Sequence, residues 1–157
     1  MTTTNVMRIL KQAGIDFDTA EYEVDESDLS GVHAAQQLGM EMERVFKTLV
    51  TKGDKTGINV FVIPVAEELD LKKCASHSGN KRVEMIHVKE LLPLTGYIRG
   101  GCSPIGMKKK YPTFIDETAI LFETVAVSAG QRGEQVILNP EDLASITQAT
   151  FCDLVKD

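Results

Sequence analysis

A glycine-rich segment, Gly-Gly-Cys-Ser-Pro-Ile-Gly, starts at Gly100 and has the composition of a loop that binds a ligand through its main chain. Gly100 and Gly101 lack a Cβ, so a positive φ is accessible and a ligand can approach the backbone closely. Pro104 fixes its own φ and keeps Ser103 in an extended conformation. We therefore expect the N–H groups of Gly101, Cys102 and Ser103 to form a concavity for an anion or an oxyanion. A tight turn between two strands has the same glycines, so the loop alone identifies no reaction.

Lys47 is the only charged residue in the apolar segment 45–50. Strand alternation places Lys47 and Leu49 on one face of this segment, and Phe46, Thr48 and Val50 on the other. If both faces are covered, the ammonium group must find a partner or its pKa must fall, and a lysine of this kind can act as a catalytic cation or base. Alternatively, the aliphatic stem packs on the protein while the ammonium reaches water. The residues alone leave both interpretations open.

Ser128 and Cys102 are the candidate nucleophiles, and neither has a sequence feature that would activate it. Ser128 follows an apolar strand but lacks the G-x-S-x-G elbow of a nucleophilic serine, so it either hydrogen-bonds a substrate or caps the local backbone. Cys102 would need a histidine base, and no motif supplies one. Cys74 and His77 share a predicted helix, but no second pair has metal-like spacing, so we expect no metal site. Phosphate-binding and dinucleotide-binding glycine motifs are absent.

The length of 157 residues favours a single domain over 1–157. The net charge of −6 argues against DNA binding, and against RNA binding by bulk electrostatics. One basic run, Lys108, Lys109 and Lys110, follows the glycine loop and is either a solvated face or a local patch that contacts RNA phosphates. No apolar run is long enough to span a bilayer, the first ten residues do not resemble a secretion signal, and three cysteines do not form a disulfide framework. These features predict a cytoplasmic protein without a membrane partner.

Hydrophobic periodicity and the positions of Gly, Pro and capping residues predict a mixed α/β fold rich in short strands. Helices are expected at 6–13, 32–38, 71–77, 88–92 and 140–147. Strands are expected at 17–24, 45–51, 58–65, 83–86, 113–115, 122–127, 135–138 and 151–154. The strand at 58–65 is almost entirely apolar, which is typical of a strand buried on both faces.

Three segments, in their order and spacing, resemble the YbaK/EbsC family of aminoacyl-tRNA deacylases. They are Val-Phe-Lys-Thr-Leu at 45–49, Arg-Gly-Gly-Cys-Ser-Pro-Ile-Gly at 99–106, and Val-Ser-Ala-Gly-Gln-Arg-Gly at 127–133. The intervening segments 64–65, 69–73 and 81–85 also fit the family pattern. The resemblance runs from Tyr22 to residue 157, and it is stronger to the free-standing branch that deacylates Cys-tRNA(Pro) than to the alanine-editing domains associated with prolyl-tRNA synthetases.

The resemblance implies a strand-rich, barrel-like core surrounded by helices. It also implies hydrolysis of a mischarged aminoacyl ester at the tRNA 3′ end, without a metal or organic cofactor. The substrate is expected to be Cys-tRNA(Pro), with Cys-tRNA(Cys) as a second substrate and Ala-tRNA(Pro) as the alternative specificity. In this branch the thiol of the substrate cysteine is thought to attack the ester, so the protein supplies position and oxyanion stabilisation without a nucleophile of its own.

The resemblance also assigns roles to individual residues. Lys47 would hold the terminal adenosine region and its charge, and Gly100 and Gly101 would bring their main chain close to the scissile carbonyl. The remaining implied substrate contacts are Tyr22, Thr48, Cys102, Ser103, Pro104, Ser128 and Gly130. Two positions depart from the family pattern: Gln135 stands where some members carry an aspartate, and Ser30 stands where a bulkier aromatic residue is common.

The acidic net charge fits a partner that supplies the phosphate contacts, and the resemblance implies prolyl-tRNA synthetase as that partner, with aminoacyl-tRNA as the substrate. Two other classes of function remain open at this point. One is a module that binds an aminoacyl end or a small ligand without turnover. The other is a thiol-based redox or transferase function, which would require Cys102.

Overall fold

Short helices and strands alternate along residues 3–157, the part of the chain described in the computed structural model. The α-helices are α1 (Asn5–Gln12), α2 (Gly31–Leu38), α3 (Leu71–Ser78), α4 (Val88–Thr95) and α5 (Pro140–Thr147). The strands are β1 (Asp18–Glu21), β2 (Phe46–Gly53), β3 (Gly57–Pro64), β4 (Val83–Met85), β5 (Thr113–Asp116), β6 (Val125–Ser128), β7 (Glu134–Leu138) and β8 (Thr150–Cys152). Short 3₁₀ helices cover Met42–Arg44 and Glu117–Leu121. The mixed α/β prediction is confirmed, whereas the single-domain prediction also includes residues 1 and 2, which lie outside the described residues.

The strands form two sheets that meet at one bridge. The larger sheet has the order β4-β2-β3-β5-β8, and the smaller has the order β1-β7-β6. β2 and β3 form an antiparallel hairpin, while β3 pairs with β5, and β5 with β8, in parallel. An isolated parallel bridge between Val45 and Ala126 joins the start of β2 to β6. β2 therefore belongs to the larger sheet and touches the smaller one at its first residues.

β3 lies in the centre of the larger sheet and is buried on both faces, as predicted from its apolar sequence. Val60 and Val62 belong to the main apolar core, whereas Phe61 and Ile63 belong to a second core on the other face. All four side chains are inaccessible to solvent. The strand thus separates two apolar layers, and this fixes the direction in which each face of the neighbouring β2 points.

Capping residues set the ends of several helices as the sequence predicts. The Asp70 side chain accepts hydrogen bonds from the N–H groups of Lys72 and Lys73 at the start of α3. Asn139 caps α5 in the same way, immediately before Pro140 at the first helical position. Within residues 3–157, no helix combines the length and the apolarity needed to cross a bilayer.

Some predicted boundaries are wrong, for identifiable reasons. α4 continues through Pro93 instead of ending at 92, because Gly96 N–H and Thr95 Oγ1 donate to carbonyls of the last turn. The strand expected at 122–127 begins only at Val125, since the 3₁₀ helix Glu117–Leu121 occupies the chain before it. β1 covers four residues rather than 17–24, because its pairing with β7 ends at Glu134.

Candidate active site

A cavity of about 360 Å³ lies beside β2, where the edge of this strand lacks a continuous neighbour. On the side away from β3, β4 pairs only with Thr51–Gly53, and β6 reaches only the bridge at Val45. The segment 46–50 lies between these two contacts, and the cavity occupies the gap. Successive side chains of β2 point to opposite faces of the sheet. Because the cavity lies at the open edge of the strand, side chains from both faces reach it.

The cavity brings together several of the residues singled out from the sequence. Six of them line its wall: Tyr22, Lys47, Thr48, Gly100, Cys102 and Ser128. The predicted catalytic residue Gly101 does not line it, and neither do the predicted substrate contacts Ser103, Pro104 and Gly130. Lys108, Lys109 and Lys110 are exposed and also lie outside its wall. The structure therefore places Lys47 and Gly100 at one cavity, and their roles remain predictions.

Lys47 is half-buried and has no carboxylate within salt-bridge distance among residues 3–157. Burial lowers the pKa of its ammonium group below the ordinary value of 10.5, and the more distant Glu68 and Glu67 partly oppose this. A desolvated cation without a partner favours a ligand that carries an acceptor or a negative charge. Lys47 is neither fully buried nor fully exposed, so the two interpretations left open by the sequence both stay open.

The glycine loop differs from its prediction at Gly101 and at Ser103. Gly100 has a φ of +86°, which a glycine tolerates without strain. The Gly101 N–H, however, donates to the Ile98 carbonyl at 2.9 Å, so it is not free to bind an oxyanion, and that expectation is wrong. Ser103 is fully buried and its Oγ accepts from the Ile105 N–H, which makes it a structural residue of the loop. The Cys102 N–H has no acceptor in the described part of the chain, and Cys102 is one of the residues that line the cavity.

Two side chains that the sequence analysis missed hold this loop in place. The Arg132 Nε donates to the Arg99 carbonyl at 2.8 Å, directly before the two glycines. The Tyr97 hydroxyl donates to the Ile105 carbonyl at the far end of the loop, and burial raises the pKa of Tyr97 to about 12. Both contacts join residues that are not adjacent in sequence, and no local pattern signals them.

β6 and β7 carry the polar side of the cavity. Ser128 on β6 is paired in register with Gln135 on β7, so their side chains project from the same face of the smaller sheet. The Ser128 Oγ accepts from the Gly130 N–H at 3.1 Å, which is the local cap that the sequence left as an alternative. Gln135 is only 6% exposed, and its Oε1 has no hydrogen-bond partner among the described residues.

α2 closes another side of the cavity through a very close approach to the chain after β3. A Cβ on Gly31 would lie 2.3 Å from the Val65 Cγ1, so only glycine fits at this position. Ser30, the residue that departs from the family pattern, caps α2 by accepting from the His33 N–H, and it also lines the cavity. Its small exposed side chain leaves the space in front of it open.

The beginning of α4 forms a wall that the sequence analysis did not identify. Ile86, His87, Val88 and Leu91 all line the cavity. Val88 is 64% exposed, which is unusual for a large apolar side chain in a short helix. Their spacing is that of an ordinary amphipathic helix, so the sequence offered no signal that these residues face a ligand site.

The thiol of Cys102 lacks the environment of a nucleophile. Burial raises its pKa to about 12, so it carries its proton at neutral pH. None of the described histidines hydrogen-bonds to Cys102 or to Ser128 through its side chain. Within residues 3–157, no group of three or more His, Cys, Asp or Glu side chains is placed to hold a metal ion.

Comparisons with known proteins agree with this geometry. The model of the aminoacyl-tRNA editing domain family matches residues 29–146. The chain is 51% identical over 151 residues, 96% of its own length and 92% of the relative, to a protein of Enterococcus faecalis described as a candidate Cys-tRNA(Pro)/Cys-tRNA(Cys) deacylase, EbsC. A proline–tRNA ligase of Thermosipho melanesiensis is 30% identical over 99 residues, which cover 55% of this chain and 17% of the ligase.

The fold is that of a solved relative. The crystal structure of a candidate trans-editing enzyme for prolyl tRNA synthetase superposes with a TM-score of 0.84 at 25% identity, covering 99% of this chain and 100% of that one. The family match spans the cavity residues from α2 to Gln135. The resemblance carried by the three motifs is thereby confirmed, and the chain belongs to the aminoacyl-tRNA editing domain family.

Proposed function

We propose that this protein is a trans-editing hydrolase that removes cysteine from Cys-tRNA(Pro), and also from Cys-tRNA(Cys). Membership of the editing domain family gives the class of reaction, which is hydrolysis of an aminoacyl ester on tRNA. The choice of cysteine is supported by the 51% identity to EbsC, whose description names these two substrates. The observation that carries the proposal is the shared cavity of Lys47 and Gly100.

Lys47 is the electrostatic component of the proposed site. Its side chain is half-buried and has no ion-pair partner in the described chain, so the ammonium group is suited to hold the negatively charged end of the tRNA and the polarised ester. A preorganised charge of this kind stabilises charge that develops in the transition state more effectively than water does. Neutralising it should therefore reduce the rate of deacylation far more than it reduces folding stability.

The main chain of the glycine loop supplies the second component. Since the Gly101 N–H donates to Ile98, the proposed oxyanion donor is the Cys102 N–H. Gly100 has no side chain, so the carbonyl group of the substrate ester can approach the backbone closely. The contacts from Arg132 and Tyr97 keep this loop rigid, which is what preorganised donors require. The loop thus acts through peptide dipoles and not through the Cys102 thiol.

The nucleophile in this proposal belongs to the substrate. The cysteinyl sulfur attacks its own carbonyl carbon, the bond from that carbon to the ribose oxygen breaks, and the thiol proton passes to the ribose oxygen. Water then opens the resulting thiolactone to free cysteine. The high pKa of Cys102 and the absence of a histidine hydrogen bond to Ser128 support a mechanism without a protein nucleophile.

Prolyl-tRNA synthetase is the proposed partner. An isolated protein with a net charge of −6 has little general attraction for tRNA, so a partner that binds the phosphates would bring the acceptor end to the cavity. The partial match to a proline–tRNA ligase and the description of the solved relative support this pairing. A cytoplasmic location remains a prediction that fits such a partner.

The test is to incubate the purified protein with Cys-tRNA(Pro) and to measure released cysteine, with Ala- and Ser-charged tRNA alongside. We expect Lys47→Met to reduce kcat/KM by about 100-fold or more, the usual effect of removing one transition-state charge contact. Lys52→Met is the matched control, because Lys52 lies exposed on the same strand outside the cavity and should leave the rate unchanged. Retention of Cys-tRNA without release of cysteine would instead identify a binding module.

A further inference from the structure

Two side-chain oxygens, each on a residue that lines the cavity, have no hydrogen-bond partner among residues 3–157. They are the Thr48 Oγ1 and the Gln135 Oε1, and both atoms are buried. Gln135 is 94% buried as a whole residue, with a relative exposure of 6%. Buried polar atoms are nearly always paired in folded proteins, so an unpaired acceptor in the wall of a cavity marks a position where a ligand donates a hydrogen bond.

Charge in the cavity is distributed unevenly. Lys47 and Arg99 bring positive charge to its wall, and no Asp or Glu of the described residues lines it. A negative or carbonyl group of a ligand is therefore drawn towards the cations. A positively charged ligand group has no carboxylate to pair with, and can be received only by neutral oxygens.

Three of the residues with neutral side-chain oxygens that line the cavity lie on β7, β6 and the middle of β2. Gln135 lies beside Ser128 in the register of the smaller sheet, at a typical Cβ separation of about 4.5–5.5 Å for such pairs. The Ser128 Oγ accepts one hydrogen bond from the Gly130 N–H and retains one lone pair. Gln135 and Ser128, with Thr48 on β2, thus offer three acceptors in one cavity.

We propose that Gln135, together with Thr48, forms the subsite for the α-ammonium group of the aminoacyl ester. This inference rests on the proposed function, since it names the part of that substrate which these atoms bind. An aminoacyl ester carries an ammonium group on one side of its carbonyl and the ribose on the other. The cavity wall offers a partner for each group, with Lys47 and Arg99 for the acceptors of the ester and Gln135 for its donor.

The subsite gives the protein a means to distinguish aminoacyl-tRNA from peptidyl-tRNA. In peptidyl-tRNA the α-nitrogen is an amide, which has lost its positive charge and two of its three hydrogens and carries a bulky acyl group. A buried glutamine oxygen binds an ammonium group well and an acylated nitrogen poorly. The protein would then leave growing chains intact while it removes single amino acids.

The experiment compares Cys-tRNA(Pro) with N-acetyl-Cys-tRNA(Pro), which retains the thiol and the ester and lacks only the ammonium group. Each rate is divided by the spontaneous hydrolysis of the same ester. We expect the wild-type protein to prefer the free amine by roughly 10- to 100-fold in kcat/KM, the effect of one hydrogen bond to a charged group. Gln135→Met should reduce this preference to about twofold by raising KM for Cys-tRNA(Pro).

Two further variants separate recognition from loss of structure. Gln135→Glu restores an acceptor and should retain or increase the preference for the free amine. Gln37→Met, on the exposed side of α2, is the matched control and should behave as the wild type does. An active wild-type protein that hydrolyses both esters equally, or a Gln135→Met protein with an undiminished preference, would overturn the ammonium subsite. A wild-type protein that releases no cysteine at all would instead overturn the proposed function.

Discussion

Replacing Gly31 by alanine should destabilise the protein, although helix propensity predicts the opposite sign. Gly31 is the first residue of α2, and alanine is favoured over glycine in a helix interior by about 1 kcal/mol. In the structure, however, the added Cβ would lie 2.3 Å from the Val65 Cγ1 and 2.8 Å from the Val65 Cβ. α2 can accept this methyl group only by moving away from the chain that follows β3.

The magnitude follows from the balance of these two effects. Overpacking a well-packed site costs about 1–3 kcal/mol, and contacts far below the van der Waals distance place Gly31→Ala at the upper end of that range. After subtraction of the propensity gain, we expect the free energy of unfolding to fall by about 2 kcal/mol. In a protein of this size that corresponds to a decrease in Tm of about 4–8 °C.

Urea unfolding measured for a double-mutant cycle with Val65→Ala tests the cause. Removing the γ-methyl groups of Val65 relieves the closest contact, so the double variant should be more stable than additivity predicts, by about 1 kcal/mol. Gly39→Ala, at the other end of α2, is the control: its Cβ meets nothing within 4 Å and only its φ of +67° is unfavourable, so it should show no coupling to Val65→Ala. A Gly31→Ala protein as stable as the wild type, or an additive cycle, would refute the steric argument.

Four further predictions concern the site and its surroundings. Burial lowers the pKa of Lys47, so its side chain binds more protons in the unfolded state than in the folded state between the lowered pKa and the ordinary value of 10.5. This contribution to the free energy of unfolding rises with pH and is missing in Lys47→Met, so the free energy of unfolding of the wild type minus that of Lys47→Met should rise across this window in urea titrations. Cys102→Ala should retain deacylase activity within about threefold, because a thiol with a pKa of about 12 is not the nucleophile; complete loss would restore a thiol mechanism. Replacing all three residues of Lys108–Lys110 by glutamine should reduce the slope of log kcat/KM against log salt by about two if they contact phosphates, and an unchanged slope would remove them from the mechanism. Tyr97→Phe leaves the Ile105 carbonyl without its donor, so we expect the free energy of unfolding, measured in urea, to fall by about 1 kcal/mol and kcat to fall as well. If neither quantity changes, other contacts hold the loop.

Local sequence signals predicted much of the fold because they depend on a few neighbouring residues. The Asp70 and Asn139 caps, the buried strand at 58–65 and the 2-residue alternation of β2 are all properties of this kind. One boundary was wrong because a long-range contact decides it. The C-terminal limit of β1 is set by where β7 stops pairing, which the segment around Glu21 does not encode.

The candidate site also combines features that neighbouring residues signal with features that only the folded structure reveals. The sequence indicated Lys47 because a lone charge in an apolar strand is conspicuous, and it indicated Gly100 because paired glycines are. It also assigned the Gly101 N–H to an oxyanion, since a local pattern does not reveal that this donor is taken by Ile98. The unpaired oxygen of Gln135 was equally inaccessible, because recognising it requires a complete account of hydrogen bonds in three dimensions.

The parallel pairing of β3 with β5, and of β5 with β8, has a consequence for synthesis on the ribosome. β3 ends at residue 64, but its partner β5 begins at residue 113, and the strand that covers β5 begins at residue 150. At a rate of about 5–20 residues per second, the strongly apolar β3 waits several seconds for its neighbour to be made. During that interval its free edge is open to chaperones and to other nascent chains, so the yield of native protein should depend on translation speed more than on the stability of the finished fold.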